Sequence, residues 1–323
     1  MSTGAQAVVD AGGAALTRIM DRVERRMAEL AVGHGPLLGR YAGDTISAGG
    51  KRLRPLLVCL AAGVPPPESK GLARAAVAVE LVHGATLVHD DVLDGSALRR
   101  GRPTVVATGG RGAATATGDL LFSRAFAELA ADGAGSPDAV RVLARASREL
   151  ALGELAQRED AFRTDVSVAR YFDRCRLKTA VLFRAACELG ALEGESDPGA
   201  IGAFGERIGL AFQVLDDVLD VSGPPERTGK PRGADLLDGT VTLPLILARD
   251  GDPKLAELDV RSIRTASDAA AVCDRIEATG ALEVARSRAR ELVAEAKLGL
   301  PALPHRQREA LELAADVMVE RYA

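Results

Sequence analysis

With 323 residues, 47% of them apolar, the chain can bury a sizeable core as one large domain or two ordinary ones. Aromatic residues make up only 3% and Trp is absent, so Ala and Leu carry the apolar content, which favours helix over strand. A net charge of −4 argues against general nucleic-acid binding, because a protein that tracks a phosphate backbone shows a basic excess.

Apolar periodicity between Gly/Pro breaks predicts helices over 14–31, 36–48, 53–63, 69–94, 112–132, 137–160, 167–192, 198–222, 240–250, 266–277, 279–298 and 304–322. No stretch alternates long enough for a convincing sheet, and no low-complexity linker divides the chain. The reading is all-α, a single large helical bundle spanning 1–323, able to set distant faces across one central cavity.

The first segment with chemistry is Gly49-Gly50-Lys51-Arg52-Leu53-Arg54-Pro55, a glycine turn entering a helix with three cations at its start. Cations are unfavourable at that positive end, so their placement calls for an anion. The 69–94 helix ends in Asp90-Asp91-Val92-Leu93-Asp94, and the same word returns as Asp216-Asp217-Val218-Leu219-Asp220 at the end of 198–222. On a helix, positions one, two and five of that word share an arc of about 100°, with the apolar pair turned towards a core. Such crowded carboxylates repel one another, and hard oxygen donors in this pattern suit Mg²⁺ shared with a phosphate substrate.

His83 lies about 20° from Asp90 on the wheel and Gln213 about 60° from Asp216, so each extends an acidic face with a polar group. His89 points elsewhere and reads as structural. Further cations stand at Arg99-Arg100-Gly101, at Lys178 beside Thr179 within 167–192, and at Lys230 in a Gly-Lys-Pro loop. Singly each is an ordinary solvated charge. Together with six carboxylates they form a set suited to a diphosphate.

Cys59, Cys175, Cys187 and Cys273 are scattered without a CxxC pair, as small core residues in a reducing compartment would be. The start of the chain lacks a basic patch followed by an apolar run, and no window of ~18 residues is uninterrupted by polar groups. The expectation is a cytoplasmic protein without a transmembrane segment, compatible with loose membrane association for release of an apolar product.

These residues in this order resemble the trans-polyprenyl (isoprenyl) diphosphate synthase family, of the long-chain type. The match runs from Gly49-Gly50-Lys51 through His83, His89 to Asp94, Arg99-Arg100-Gly101, Gly118-Asp119, Gly153-Glu154, Lys178-Thr179-Ala180 and Phe212 to Asp217, and on to Asp238-Gly239 and Thr242-Leu243-Pro244. A lone DDxxD would be weak, since terpene cyclases carry one; the ordered set is specific. The resemblance implies the isoprenoid synthase fold and a prenyltransferase that joins isopentenyl diphosphate to an allylic diphosphate. It implies that Asp90, Asp91, Asp94, Asp216, Asp217 and Asp220 hold about three Mg²⁺ ions on the allylic diphosphate. It further implies that Arg99, Lys178 and Lys230 grip that diphosphate, and that Lys51, Arg54, His83 and Arg100 form the metal-free site for isopentenyl diphosphate. Thr179 and Gln213 would flank the breaking C–O bond. Many relatives carry a Lys where this chain has Thr240, so one cation of the family pattern is missing.

In the family, a bulky residue four or five positions before the first Asp pair closes the product tunnel. Here those positions hold Thr86 and Ala85, both small, which implies growth past twenty carbons into a quinone-type side chain. Phe122, Phe126 and Leu129, spaced i, i+4, i+7, are candidates for a deeper floor. Competing readings are a geranylgeranyl diphosphate synthase, a non-catalytic partner subunit of a heteromeric synthase, and a terpene cyclase. The family resemblance also implies a homodimer.

Overall fold

Ala- and Leu-rich stretches become helices wherever a cap or a glycine lets them start and stop. The computed structural model describes residues 3–32, 35–47, 52–63, 69–99, 101–131, 136–194, 196–223 and 231–320. In chain order the helices are α1 (Thr3–Val32), α2 (Gly35–Ser47), α3 (Leu53–Ala61), α4 (Lys70–Asp94), α5 (Val105–Ala130), α6 (Pro137–Asp160), α7 (Val168–Cys175), α8 (Val181–Glu193) and α9 (Pro198–Ser222). After these come α10 (Ala234–Leu237), α11 (Leu243–Ala248), α12 (Pro253–Ala256), α13 (Ala266–Ala278), α14 (Ala281–Leu298) and α15 (His305–Glu320).

Several boundaries differ from the sequence expectation, for physical reasons. The pattern placed helices at 14–31 and 112–132; α1 and α5 each join two helical stretches across a kink, at Gly13 (φ 75°) and Gly110 (φ 77°), so the predicted starts fall just after those glycines and a short further stretch precedes each. The glycines interrupt the helical backbone because they reach positive φ without a Cβ clash. The 167–192 segment is not one α-helix: residues Arg176–Ala180 form a π-turn between α7 and α8, closed by the Val181 N–H donating to the Arg176 carbonyl. A two-strand ribbon also exists, β1 (Leu98–Arg99) and β2 (Arg102–Pro103), too short for a period-two signal and turned at Gly101 (φ 74°).

The chain divides into two compact units. The first comprises 1–147, 182–205 and 299–317. Its spine is α4, whose run of Leu72, Ala75, Ala76, Val77, Ala78, Val79, Leu81 and Val82 is buried almost completely. Ser69 caps the start of α4 by accepting from the Leu72 N–H (3.2 Å), and left-handed Gly95 ends it directly after Asp94. Helix α5 lies antiparallel along it: Arg74 donates to the Ala131 carbonyl (2.9 Å) at one end, and His89 stacks on Phe122 at the other. By length and composition alone α4 is apolar enough to cross a bilayer, but 67% of its most apolar window is buried within the protein, as in a core helix.

The second unit comprises 148–181, 206–298 and 318–323. Tyr171 and Arg174 on α7 are its buried anchors. Arg174 donates to the Val241 carbonyl (2.5 Å) and pairs with buried Asp160 (3.3 Å), tying α7 to the segment before α11.

Candidate active site

In the first unit the acidic word ends α4, where the helix runs out into the β1–β2 ribbon. The ribbon brings Arg99 back over the helix, and its Nε donates to Asp91 Oδ1 at 2.8 Å. Asp91 is buried (5% exposed), Asp90 half-buried and Asp94 exposed. The arc rule anticipated three outward carboxylates with Val92 and Leu93 inward; the structure turns Asp91 in and leaves Leu93 46% exposed, because Arg99 satisfies the buried carboxylate. A buried charge needs such a partner.

His83 is half-buried and lines a cavity of about 30 Å³ with Thr45, Arg52, Glu80, Leu87 and Leu121. That is room for one or two waters. Arg52, the middle cation of the glycine turn, is held inside: it ion-pairs with Glu24 (2.7 Å) and Glu80 (2.9 Å) and donates to the Ile46 carbonyl (3.2 Å). It does so with a left-handed backbone (φ 50°), unusual for a residue other than glycine. The anion that this cation calls for is therefore supplied by the protein. Arg54 lies with its guanidinium 4.5 Å from the centre of the Phe183 ring. Lys51, Arg100 and Lys230 lie outside the described residues.

His89 is packed as a structural residue. Its ring stacks on Phe122 (5.8 Å between centroids) beside Asp119 (3.4 Å), and Gly118 leaves the room that a Cβ would fill. Ala85 is fully buried, while half-buried Thr86 donates to the His83 carbonyl of its own helix (2.8 Å). Phe122 sits beside His89, half-buried Phe126 one turn further on, and Leu129 near Gly71 and Arg74 at the start of α4. Phe122 and Leu129 lie about 10 Å apart along α5 at 1.5 Å per residue.

In the second unit the π-turn presents Lys178 and Thr179. Gly153 on α6 allows the close approach, since a Cβ there would lie 2.6 Å from the Lys178 backbone nitrogen. Lys178 Nζ donates to Glu154 Oε2 (2.6 Å), and Arg158 Nε donates to the other oxygen (3.0 Å). Burial pushes the Glu154 carboxyl up, but the charges and hydrogen bonds of Lys178 and Arg158 outweigh it and leave it below the usual glutamate range.

Thr179 Oγ1 donates to Gln213 Oε1 (2.7 Å), Gln213 Nε2 donates to Asp217 Oδ1 (2.7 Å), and the Tyr171 hydroxyl meets Asp217 Oδ2 (2.6 Å). Asp217 is 2% exposed; burial, with the charge of Asp235 nearby, holds its carboxyl well above the usual range against the hydrogen bonds from Tyr171 and Gln213. Asp216 is exposed, and half-buried Asp220 accepts from the Asp235 N–H (3.3 Å). So in both copies of the word the second Asp turns inward to a protein donor, and the first is the more open. Tyr171, the pairing of Glu154 with Lys178, and Asp235 escaped the sequence reading. Their partners lie 15 to 46 positions away, and no local spacing encodes such a meeting.

Among the described residues, no three of His, Cys, Asp and Glu converge closely enough to hold a metal ion by themselves. Half-buried Asp90 and exposed Asp94 and Asp216 are hard oxygen donors of the kind that would hold Mg²⁺ together with a substrate phosphate.

A family model described as polyprenyl synthetase matches residues 36–277. The chain is 43% identical over 254 residues to heptaprenyl diphosphate synthase component 2 of Geobacillus stearothermophilus, covering 77% of this chain and 78% of that protein. It is 36% identical over 297 residues to octaprenyl diphosphate synthase of Escherichia coli K12, covering 88% and 89%. The fold is that of the solved polyprenyl synthase from Caulobacter crescentus CB15 complexed with calcium and isoprenyl diphosphate, with a TM-score of 0.87, 36% identity and 98% of each chain covered.

Proposed function

The chain belongs to the polyprenyl synthetase family, and we propose that it lengthens an allylic diphosphate with isopentenyl diphosphate units into a long-chain polyprenyl diphosphate for a quinone side chain. As a trans-prenyltransferase with the isoprenoid synthase fold, it shares the family's use of divalent cations in diphosphate binding. The observation that carries the reading is the twin acidic word, each copy with its inward Asp held by protein donors and an open carboxylate beside it.

In this reading Arg99, Lys178 and Lys230 take the allylic diphosphate, and Lys51, Arg54, His83 and Arg100 take isopentenyl diphosphate. Asp90, Asp91, Asp94, Asp216, Asp217 and Asp220 would hold about three Mg²⁺ with the diphosphate oxygens, the open carboxylates foremost. When bound, Mg²⁺ adds positive charge to the departing diphosphate. Thr179 and Gln213 stand at the breaking C–O bond, the double bond of isopentenyl diphosphate attacks the allylic cation, and released pyrophosphate takes the proton. Ala85 and Thr86 leave the path of the growing chain unplugged, which supports a product beyond twenty carbons. The chain works as a homodimer in this proposal.

A relative named as component 2 of its synthase favours a second reading, in which this chain needs a second component. One experiment decides between them. Purified protein is given Mg²⁺, isopentenyl diphosphate and allylic primers, and the products are sized by chromatography. Elongation past twenty carbons by the protein alone is expected. No elongation without a second component supports the other reading, and a product that stops at twenty carbons overturns the long-chain assignment.

A further inference from the structure

The line Thr179–Gln213–Asp217–Tyr171 has a direction, and its far end is a residue that no motif singles out. We propose that Tyr171 is a positioning residue: by occupying Asp217 it fixes the amide of Gln213 and so aims the hydroxyl of Thr179. The inference rests on the prenyltransferase reading above and adds a residue to it.

The argument begins at the buried end. Tyr171 is fully buried on α7, its ring edge-on to Phe172 (5.2 Å) and below the Arg174 guanidinium (5.8 Å), so the phenol has one place to point. It meets Asp217 Oδ2 at 2.6 Å. There the phenol donates and the carboxylate accepts, which fixes the rotation of the carboxylate and leaves Oδ1 as a second acceptor. The group facing Oδ1 must then be a donor, so Gln213 turns its NH₂ to Asp217 at 2.7 Å. This leaves Gln213 Oε1 towards Thr179, and an amide oxygen can only accept. The Thr179 hydroxyl hydrogen is therefore committed to Gln213 at 2.7 Å, and what Thr179 can turn outward is lone pairs.

That polarity matters for ionisation. Oxygen lone pairs beside a developing allylic cation favour it, whereas an outward hydroxyl hydrogen opposes it. Without the phenol, the Asp217 carboxylate loses the contact that fixes its rotation, and Oδ1 is no longer held towards Gln213. Neither the Gln213 amide nor the Thr179 hydroxyl is then held in one orientation. Three elements place the four members: α7 carries Tyr171, α9 carries Gln213 and Asp217, and the π-turn carries Thr179. The chain of contacts is thus a product of packing and not of one local motif.

The test is Tyr171→Phe, which keeps the ring and removes the hydroxyl. The expected result is kcat lowered roughly tenfold, KM for both diphosphates within about twofold, and an unchanged Mg²⁺ concentration for half-maximal activity. A kcat within about twofold of wild type overturns the inference, as does a loss that extra Mg²⁺ restores, because Tyr171 would then act through metal binding. Gln213→Met tests the same line from its middle, independently of how Tyr171→Phe folds. It should lower kcat, and adding Tyr171→Phe to it should cost nothing further; wild-type kcat in Gln213→Met, or a second full loss in the double variant, overturns the inference. Wild-type protein that elongates no primer, alone or with a second component, removes the prenyltransferase reading and this inference together, whereas an active wild type with an unaffected Tyr171→Phe removes the inference alone.

Discussion

Lys178 Nζ and Glu154 Oε2 lie 2.6 Å apart, so the ammonium assigned to a substrate diphosphate is already held by a carboxylate. An incoming diphosphate must draw Lys178 away from Glu154. Exchanging one anion for another recovers only part of the charge-assisted bond. Glu154→Gln should therefore tighten inorganic pyrophosphate binding about threefold to fivefold, up to about 1 kcal/mol, measured by calorimetry in Mg²⁺. Weaker or unchanged binding would show that Glu154 aligns Lys178 and does not compete for it.

The same pair gives a pH dependence with a definite sign. The folded Glu154 carboxyl lies below its unfolded value, so its contribution to stability is complete above the ordinary glutamate pKa of about 4.3 and fades as pH falls through the lower folded value. The gap in thermal midpoint between wild type and Glu154→Gln should be constant above about pH 5 and close in more acid buffer, where a gap that widens would contradict the assignment.

Removing an open carboxylate removes charge stabilisation at the leaving diphosphate. Asp90→Ala and Asp216→Ala should each lower turnover by several orders of magnitude, the equivalent of several kcal/mol in the barrier. Steady-state rates at saturating Mg²⁺ check this, and near-normal turnover in either variant would contradict a metal-binding role.

Ala85 and Thr86 separate on burial. Ala85 has no exposed surface, so Ala85→Phe must overpack the core around α4 and should cost about 1–3 kcal/mol in denaturant unfolding. Thr86 is half-buried and spends its hydroxyl on its own helix, so Thr86→Phe should fold and shorten the product. Chromatography of labelled products from Thr86→Phe showing the wild-type length would remove Thr86 as a plug position.

Arg52 joins Glu24 of α1, Glu80 of α4 and the Ile46 carbonyl of α2. Arg52→Ala strands Glu80, 8% exposed, without its cation and should destabilise by about 3–5 kcal/mol. Arg52→Ala in a Glu80→Gln background should cost distinctly less, and equal losses in both backgrounds would mean that the pair is not coupled.

Helical class and most helix bodies were legible because Ala- and Leu-rich periodicity is a local property. Helices α6 and α9 begin and end where the pattern placed them. The glycine breaks before 14 and 112 were legible, and the backbone does leave helical geometry at Gly13 and Gly110; the short helical stretches ahead of them were not. The acidic words were legible as words, but which Asp turns inward was not. That depends on Arg99 arriving by a ribbon of two-residue strands and on Tyr171 arriving from another helix. The cation-rich turn was legible too, whereas the fate of Arg52 was decided by carboxylates 28 positions away on either side.

The π-turn at Arg176–Ala180 separates heredity of the fold from heredity of the chemistry. A π-turn is an α-helix carrying one residue too many, so deleting a single codon between 176 and 180 could restore an unbroken helix from α7 to α8 with the core still closed. The flanking helices would keep their buried faces, while side chains within the turn would move by one position, about 100° around the axis. Lys178 would lose Glu154, or Thr179 would lose Gln213. Such a gene would encode a stable descendant of this scaffold that had fallen silent in one step, and one inserted codon would be enough to recover it.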